Sequence, residues 1–340
     1  MNVEQLDTNA HAMVAKGKGI LAADESTGTM GKRLEGIGVE STEANRRDYR
    51  EMLVSTQGAG KFISGAILFD ETLRQSGGGG TSMVAHLTAE GILPGIKVDT
   101  GAKNLAGCPG EKITEGLDGL RERLAGYYEI GARFTKWRAV ITIGDKIPSR
   151  TCIAANAHAL ARFAALAQEA NLVPIVEPEV LMDGGHTIER CREVSEETLH
   201  VVFDALLSQR VRLEGIVLKP NMIVSGKDCP RQAGVDEVVE QTLAVLRRHV
   251  PAAVPGIAFL SGGQSEESAT QHLNVMNSGD PQPWELTFSY GRALQQSALK
   301  TWGGNPANVS AAQAVYYHRA RMNGLSRTGD YRPEMEKEAA

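Results

Sequence analysis

The chain has no block of lysines and arginines, and its formal net charge is −5 over 340 residues. Nucleic acid and anionic membranes call for a basic patch or stripe, so neither is expected as a partner. Cysteine is scarce. Cys108, Cys152, Cys191 and Cys229 stand far apart, with no C-x-x-C pair. That spacing argues against a disulfide framework or a cysteine zinc site and for reduced thiols in the cytoplasm. The eight histidines, among them His86, His158, His186 and His272, form no H-x-H or H-E-x-x-H group, so no metal is expected. No apolar run approaches the ~20 residues of a membrane span. Met1–Leu6 lacks a basic-then-apolar leader pattern. The expectation is a soluble, cytoplasmic protein.

What the chain does have is ordinary globular composition, 42% apolar and 23% charged, enough for a large core. Its length suits two average domains or one large α/β barrel with extensions. One stretch organises the rest: Glu214–Met222 (EGIVLKPNM), an apolar run that delivers Lys219 and stops at Pro220. It reads as a buried parallel strand. Burial disfavours an ammonium, and an amine so placed is suited to attack a carbonyl and form a Schiff base. The plain alternative is a lysine that snorkels to water.

Seven further runs share this grammar of apolar residues followed by polar ones: Gly19–Ser26, Ile63–Asp70, Leu93–Asp99, Phe134–Val140, Val173–Glu179, Gly256–Gly263 and Leu286–Arg292. Helical patterns separate most of them. Ser195, followed by two glutamates, reads as an N-cap. Eight strands alternating with helices fit a parallel (β/α)8 TIM barrel better than an open sheet, which would show a phosphate fingerprint after its first strand. Ser76–Ser82, with its four glycines, lacks the ending of a P-loop and reads as a flexible loop. We therefore expect a single domain spanning 1–340. An amphipathic N-terminal helix covers 2–16, the barrel about 19–305, and a C-terminal helix with a mobile tail about 310–340. Ser310–Gln313 has capping-box form and is expected to open that last helix, through about Met322.

In such a barrel the strand carboxyl ends converge on one mouth. They would bring together Asp24, Lys97, Lys136, Arg138, Glu177, Glu179, Lys219, Ser261 and Arg292. Lys136 and Arg138 are two apart, as are Glu177 and Glu179, so each pair shares a strand face. Opposite charges turned into a barrel would have to offset one another. The set suits amine catalysis on a phosphorylated sugar. Lys219 would attack a ketone with Lys136 as a cationic neighbour, Glu177 and Glu179 would move protons, and Asp24 would take a hydroxyl proton. Arginines, Ser261 and the N–H groups of Gly262 and Gly263 offer donors to phosphate. Each has a plainer reading: Glu177 and Glu179 as salt-bridge partners, Ser261–Gly263 as a turn, Trp137 and Tyr290 as packing residues.

Taken together, seven blocks resemble the class I, Schiff-base fructose-bisphosphate aldolases over nearly the whole chain. They are Gly19–Gly28 (GILAADESTG), Gly95–Thr100 (GIKVDT), Lys136–Arg138 (KWR), Ile175–Val180 (IVEPEV), Leu218–Met222 (LKPNM), Phe259–Glu267 (FLSGGQSEE) and Thr287–Gln295 (TFSYGRALQ). The resemblance implies a carbon–carbon lyase that cleaves fructose 1,6-bisphosphate reversibly to dihydroxyacetone phosphate and glyceraldehyde 3-phosphate, without a metal or other cofactor. It implies Lys219 as the Schiff-base residue, Glu177 as acid and base, and Asp24 as acceptor of the C4 hydroxyl proton. Lys136 and Glu179 would support them. Ser261, Gly262 and Arg292 resemble the C1-phosphate site. Lys97 and Arg138 resemble contacts to the distal C6 phosphate, with Arg33 and Ser26 nearby. The resemblance also suggests a cytoplasmic homotetramer. Animal members end in a tyrosine that assists proton exchange; this chain ends otherwise, and that role does not pass to Tyr331. Rivals are another lysine-dependent barrel enzyme such as a transaldolase or deoxyribose-phosphate aldolase, a metal-dependent aldolase, or a non-catalytic aldolase-like scaffold.

Overall fold

Each of the eight apolar runs supplies one strand of a single closed, all-parallel barrel. The computed structural model describes residues 1–337. Its barrel strands are β1 (Gly19–Ala23), β2 (Ile63–Leu68), β3 (Leu93–Lys97), β4 (Phe134–Ile141), β5 (Val173–Val180), β6 (Val217–Leu218), β7 (Gly256–Phe259) and β8 (Glu285–Tyr290). Neighbours in sequence are neighbours in space, and β1 pairs with both β2 and β8, which closes the ring. Helices between the strands cover the outside, as both faces of a parallel sheet require.

The inward face changes character along each strand. At the amino-terminal end Ile20, Ala22, Phe134, Val173, Ile175, Val217 and Ala258 pack as an apolar plug against Leu6, Ala10, Met13 and Val14. These last four come from the N-terminal helix Val3–Met13 and the residue after it, so that helix stoppers the barrel's lower end. Asp7 fixes it by accepting from Arg212 at 2.7 and 3.0 Å. Space there is tight: a Cβ on Gly95 would lie 2.2 Å from the Phe134 ring. Two residues further up the same faces stand Asp24, Lys136, Glu177 and Lys219. The period of two thus carries the interior from hydrocarbon to charge within one strand length.

Several local expectations are corrected. The helix containing Ser195 runs from Ile188 to Ser208 with Thr187 as its cap. Ser195 is buried mid-helix and accepts from the Asn221 amide at 3.3 Å. The last helix begins at Val309 after Asn308 and runs to Ser326. Gln313, taken for half of a capping box, instead donates to the carbonyl of Met52 at 3.0 Å. The four-glycine stretch is a hydrogen-bonded turn, with Gly77 N–H on Thr81 O at 2.8 Å and Gly78 N–H on Glu51 Oε2 at 2.9 Å. An antiparallel hairpin, Gly101–Asn104 with Lys112–Glu115, was not foreseen between β3 and β4. The expected mobile tail makes side-chain contacts as far as Glu336. Tyr331 is buried beside Asn274, and Glu336 pairs with the Arg319 guanidinium at 2.5 Å. Residues 338–340 of that tail lie outside the described residues.

Arg327 ties the chain's two ends together below the barrel. Its buried guanidinium donates to the carbonyls of Val14 (2.9 Å), Ala15 (3.3 Å), Lys18 (3.0 Å) and Leu286, and to the Glu285 carboxylate (3.0 Å). Truncation would strand several buried acceptors. We expect Arg327→Met to lower the unfolding free energy by about 3–5 kcal/mol, the range for breaking a buried hydrogen-bonded charge. A urea midpoint equal to wild type would show that these contacts contribute little.

Candidate active site

The carboxyl ends of the strands open into a cavity of about 850 Å³. All twelve residues singled out from the sequence line it: Asp24, Ser26, Arg33, Lys97, Lys136, Arg138, Glu177, Glu179, Lys219, Ser261, Gly262 and Arg292. Eight lysine and arginine side chains face six acids there, although the chain as a whole is acidic. A local surplus of cations in a walled cleft draws anions.

At the centre, Lys136 and Lys219 meet two carboxylates, Asp24 at the end of β1 and Glu177 on β5. The Lys136 ammonium lies 2.6 Å from Asp24 Oδ2 and 3.3 Å from Glu177 Oε2. The other oxygen of Glu177 lies 3.3 Å from Lys219 Nζ. All four side chains are buried. Glu177 therefore bridges two amines, one paired a second time and one with a free side toward the cavity. Desolvation pushes the Asp24 carboxyl up, but the charges of Lys136 and Lys219 and the hydrogen bond from Lys136 outweigh it and hold its pKa at about 2. The same contest, won by Lys136, Lys219 and Arg138, holds Glu177 below the usual carboxylate range. Burial acts to lower the Lys136 pKa, yet Asp24 and Glu177 raise it. Both acids are thus anions at neutral pH and Lys136 is a cation.

Lys219 owes its aim to the backbone around it. Its N–H donates to Val176 O at 2.8 Å, continuing the β5–β6 ladder one step past Leu218. Pro220 then ends the strand. Asn221, which sequence reasoning passed over, accepts from Val180 N–H at 2.9 Å and so locks the end of β5 to the loop carrying the lysine.

Higher in the mouth the Arg138 side chain, 43% exposed, reaches Glu179 Oε2 at 2.5 Å. Lys97 pairs with Asp99. Arg33 lies 2.5 Å from Glu25, whose second oxygen holds the buried Arg50 at 3.0 Å. The Ser26 hydroxyl accepts from Thr29 N–H at 3.4 Å and so serves as a helix cap. On the opposite rim Gly262 and Gly263 adopt φ of +59° and +100°, a conformation that favours glycine. It brings their backbone beside Arg292: a Cβ on Gly263 would lie 3.2 Å from that guanidinium. Trp137 and Tyr290 are buried outside this chemistry. Trp137 stacks on Phe163 at 5.6 Å, and the Tyr290 hydroxyl donates to Ala269 O at 2.9 Å. The sequence reading missed Glu25, Asp70, Asp99, Arg123 and Tyr127, which also line the cavity. A carboxylate two residues beyond Lys97 was the available signal for Asp99.

A family model of class-I fructose-bisphosphate aldolases matches residues 5–340. A probable fructose-bisphosphate aldolase class 1 of Xylella fastidiosa is 57% identical over 333 residues, covering 98% of this chain and all of the relative. A cytosolic fructose-bisphosphate aldolase of Arabidopsis thaliana is 53% identical over 330 residues, 97% of this chain and 92% of its own. Among solved structures, fructose-bisphosphate aldolase from Plasmodium falciparum, in a complex with TRAP and a small-molecule inhibitor, superposes with a TM-score of 0.95. It is 51% identical, over 97% of this chain and 95% of that one.

The low pKa of Asp24 has a direct consequence for stability. The unfolded carboxyl titrates near ~3.9, so as pH falls the unfolded chain binds the proton first. The stabilisation is complete above about pH 4 and is lost as pH falls through about 2; it amounts to roughly 2–3 kcal/mol. Asp24→Asn should remove that part of the acid slope. Parallel unfolding curves for wild type and variant from pH 5 down to pH 3 would show that Asp24 does not contribute it.

Proposed function

The chain belongs to the class-I fructose-bisphosphate aldolase family, and on that premise we propose that Lys219 forms the covalent imine of its reaction. That reaction is the reversible aldol cleavage of fructose 1,6-bisphosphate to dihydroxyacetone phosphate and glyceraldehyde 3-phosphate, which the class carries out through a Schiff-base lysine without a metal. The observation that carries the assignment is the Glu177 carboxylate set 3.3 Å from both Lys219 and Lys136. Lys136 is doubly paired, and Lys219 is the amine left free to turn to substrate.

Glu177 takes a proton from the Lys219 nitrogen 3.3 Å away as the amine adds to the C2 ketone, and returns it to the carbinolamine hydroxyl, which leaves as water. The iminium then accepts the C3–C4 bonding pair. Asp24 takes the C4 hydroxyl proton as that oxygen becomes the aldehyde of glyceraldehyde 3-phosphate. Asp24 is ionised at rest and so is in the form that can accept that proton. Protonation of the enamine at C3 and hydrolysis, with Glu177 now as base, release dihydroxyacetone phosphate. Tyr331 has its hydroxyl on Glu336 at 3.0 Å and does not line the cavity, and we assign it no role in the C3 step. Ser261, the Gly262 backbone and Arg292 hold the C1 phosphate; Lys97 and Arg138, with Arg33 and Ser26 nearby, face the C6 phosphate. Among the described residues no helix is long and apolar enough to cross a membrane. We assign the protein to the cytoplasm as a homotetramer, which light scattering on the purified enzyme tests.

Incubation with dihydroxyacetone phosphate and borohydride should inactivate the enzyme and place the reduced adduct on Lys219. A label confined to Lys136 or Lys97 would sink the assignment. For the second phosphate, a charge-assisted contact is worth roughly 1.5–3 kcal/mol. Arg138→Ala should therefore lower kcat/KM for fructose 1,6-bisphosphate by about ten- to a hundred-fold, with fructose 1-phosphate much less affected. Equal losses would mean that Arg138 supports the catalytic network instead.

A further inference from the structure

The hairpin absent from the sequence reading stands where barrel strand β3 stops short of its neighbour. β4 runs to Ile141, but its neighbour β3 stops at Lys97, which pairs with Lys136. Above the bond from Val98 N–H to Lys136 O at 3.0 Å, the β3 side of β4 has no strand partner. The Arg138 peptide is met there by two side chains. Its N–H donates to Asp99 Oδ2 at 3.2 Å, and its carbonyl accepts from the Thr114 hydroxyl at 2.7 Å. Both are buried. The other oxygen of Asp99 takes the Lys97 ammonium and the Gly101 N–H, the latter at 3.1 Å.

The hairpin is itself anchored. Asn156 donates to Lys112 O at 2.8 Å, and Glu111 accepts from the N–H and hydroxyl of Ser149 at 2.7 and 2.6 Å. Both partners belong to the helix Arg150–Glu169 or its cap. The backbone that aims Arg138, and the carboxylate that holds Lys97, are thus referred to a rigid outer helix.

We propose that Thr114 and Asp99 are positioning residues for the C6-phosphate end of the substrate, acting through Arg138 and Lys97. The proposal rests on the reading of Arg138 and Lys97 as the distal phosphate site. Neither residue need touch substrate. Thr114 adjusts where the Arg138 fork points, and small misplacements of a binding group cost rate.

The test compares kcat/KM on fructose 1,6-bisphosphate and fructose 1-phosphate for Thr114→Val, Thr114→Ser, Asp99→Asn and Arg138→Ala. Loss of one hydrogen bond to the Arg138 peptide should cut turnover of the bisphosphate about threefold to tenfold. Fructose 1-phosphate should stay within about twofold, and Thr114→Ser, which keeps the hydroxyl, should restore the ratio. Adding Thr114→Val to Arg138→Ala should cost no further selectivity. If Arg138→Ala is selective but Thr114→Val is not, or if serine fails to restore the ratio, the positioning role is wrong while the distal site stands. If Arg138→Ala itself shows no selectivity, the distal-site reading falls and takes this proposal with it. Should Thr114→Val fold poorly, the isosteric Asp99→Asn carries the same comparison through the Arg138 N–H.

Discussion

One ammonium, that of Lys136, makes the barrel's charged interior possible. Asp24 stands at the end of β1, across the barrel, and Glu177 on β5 beside β4; both are buried. Lys136 reaches them at 2.6 and 3.3 Å. Without it two carboxylates would face each other in a poorly solvated space, and one would have to take up a proton. Removing one member of a buried charge network costs far more than the network contributes over a hydrophobic filling of the same volume. The arrangement is therefore better explained by chemistry than by stability. It keeps two carboxylates ionised beside an amine whose other side is open.

The strand register sets the distances in this network. Leu218 lies opposite Val176, so Lys219 and Glu177 follow as the next residues on adjoining strands. Arg138 lies opposite Glu177, and Val140 opposite Glu179. A slip of one residue in either pairing would turn every side chain to the other face. It would drive Trp137, now stacked on Phe163 outside the barrel, into the mouth. The apolar plug of Phe134, Ile175 and Val217 against Leu6 and Met13 opposes such a slip. The lower layer fixes the register from which the upper layer takes its geometry.

This division explains which parts were legible in the sequence. Strands buried on both faces appear as apolar runs, and their last inward residues stand out because they are charged: Asp24, Lys136, Glu177, Lys219. Two-residue spacing was enough to pair Lys136 with Arg138 and Glu177 with Glu179. The hairpin at 101–115 was illegible because its strands are short and mostly polar, with Lys103, Asn104 and Lys112 giving no hydrophobic alternation. Ser195 looked like a cap because acids follow it; tertiary packing placed it inside a helix under Asn221. Arg327 reads locally as part of a polar tail. Its value comes from carbonyls more than 300 residues away in sequence, at Val14, Ala15 and Lys18, and no local pattern announces such a contact.

The same physical need recurs at three strand ends around the mouth. A strand that outruns its neighbour leaves backbone groups without a ladder partner, and buried ones must be satisfied. Val180 N–H is met by Asn221, the Arg138 peptide by Asp99 and Thr114, and Ala22 O by the buried Gln295 amide at 2.6 Å. Each of these backbone sites lies within two residues of a charged side chain in the cavity: Glu179, Arg138 itself, and Asp24. Gln295 also donates to Glu25 at 3.3 Å, the carboxylate that holds Arg33. Side chains contributed by loops and flanking helices thus do the work of missing strands, and they do it next to the chemistry. A closed barrel with ladders extended to the rim would have needed none of them, but it would have had no uneven strand ends from which to raise its charged groups into a mouth.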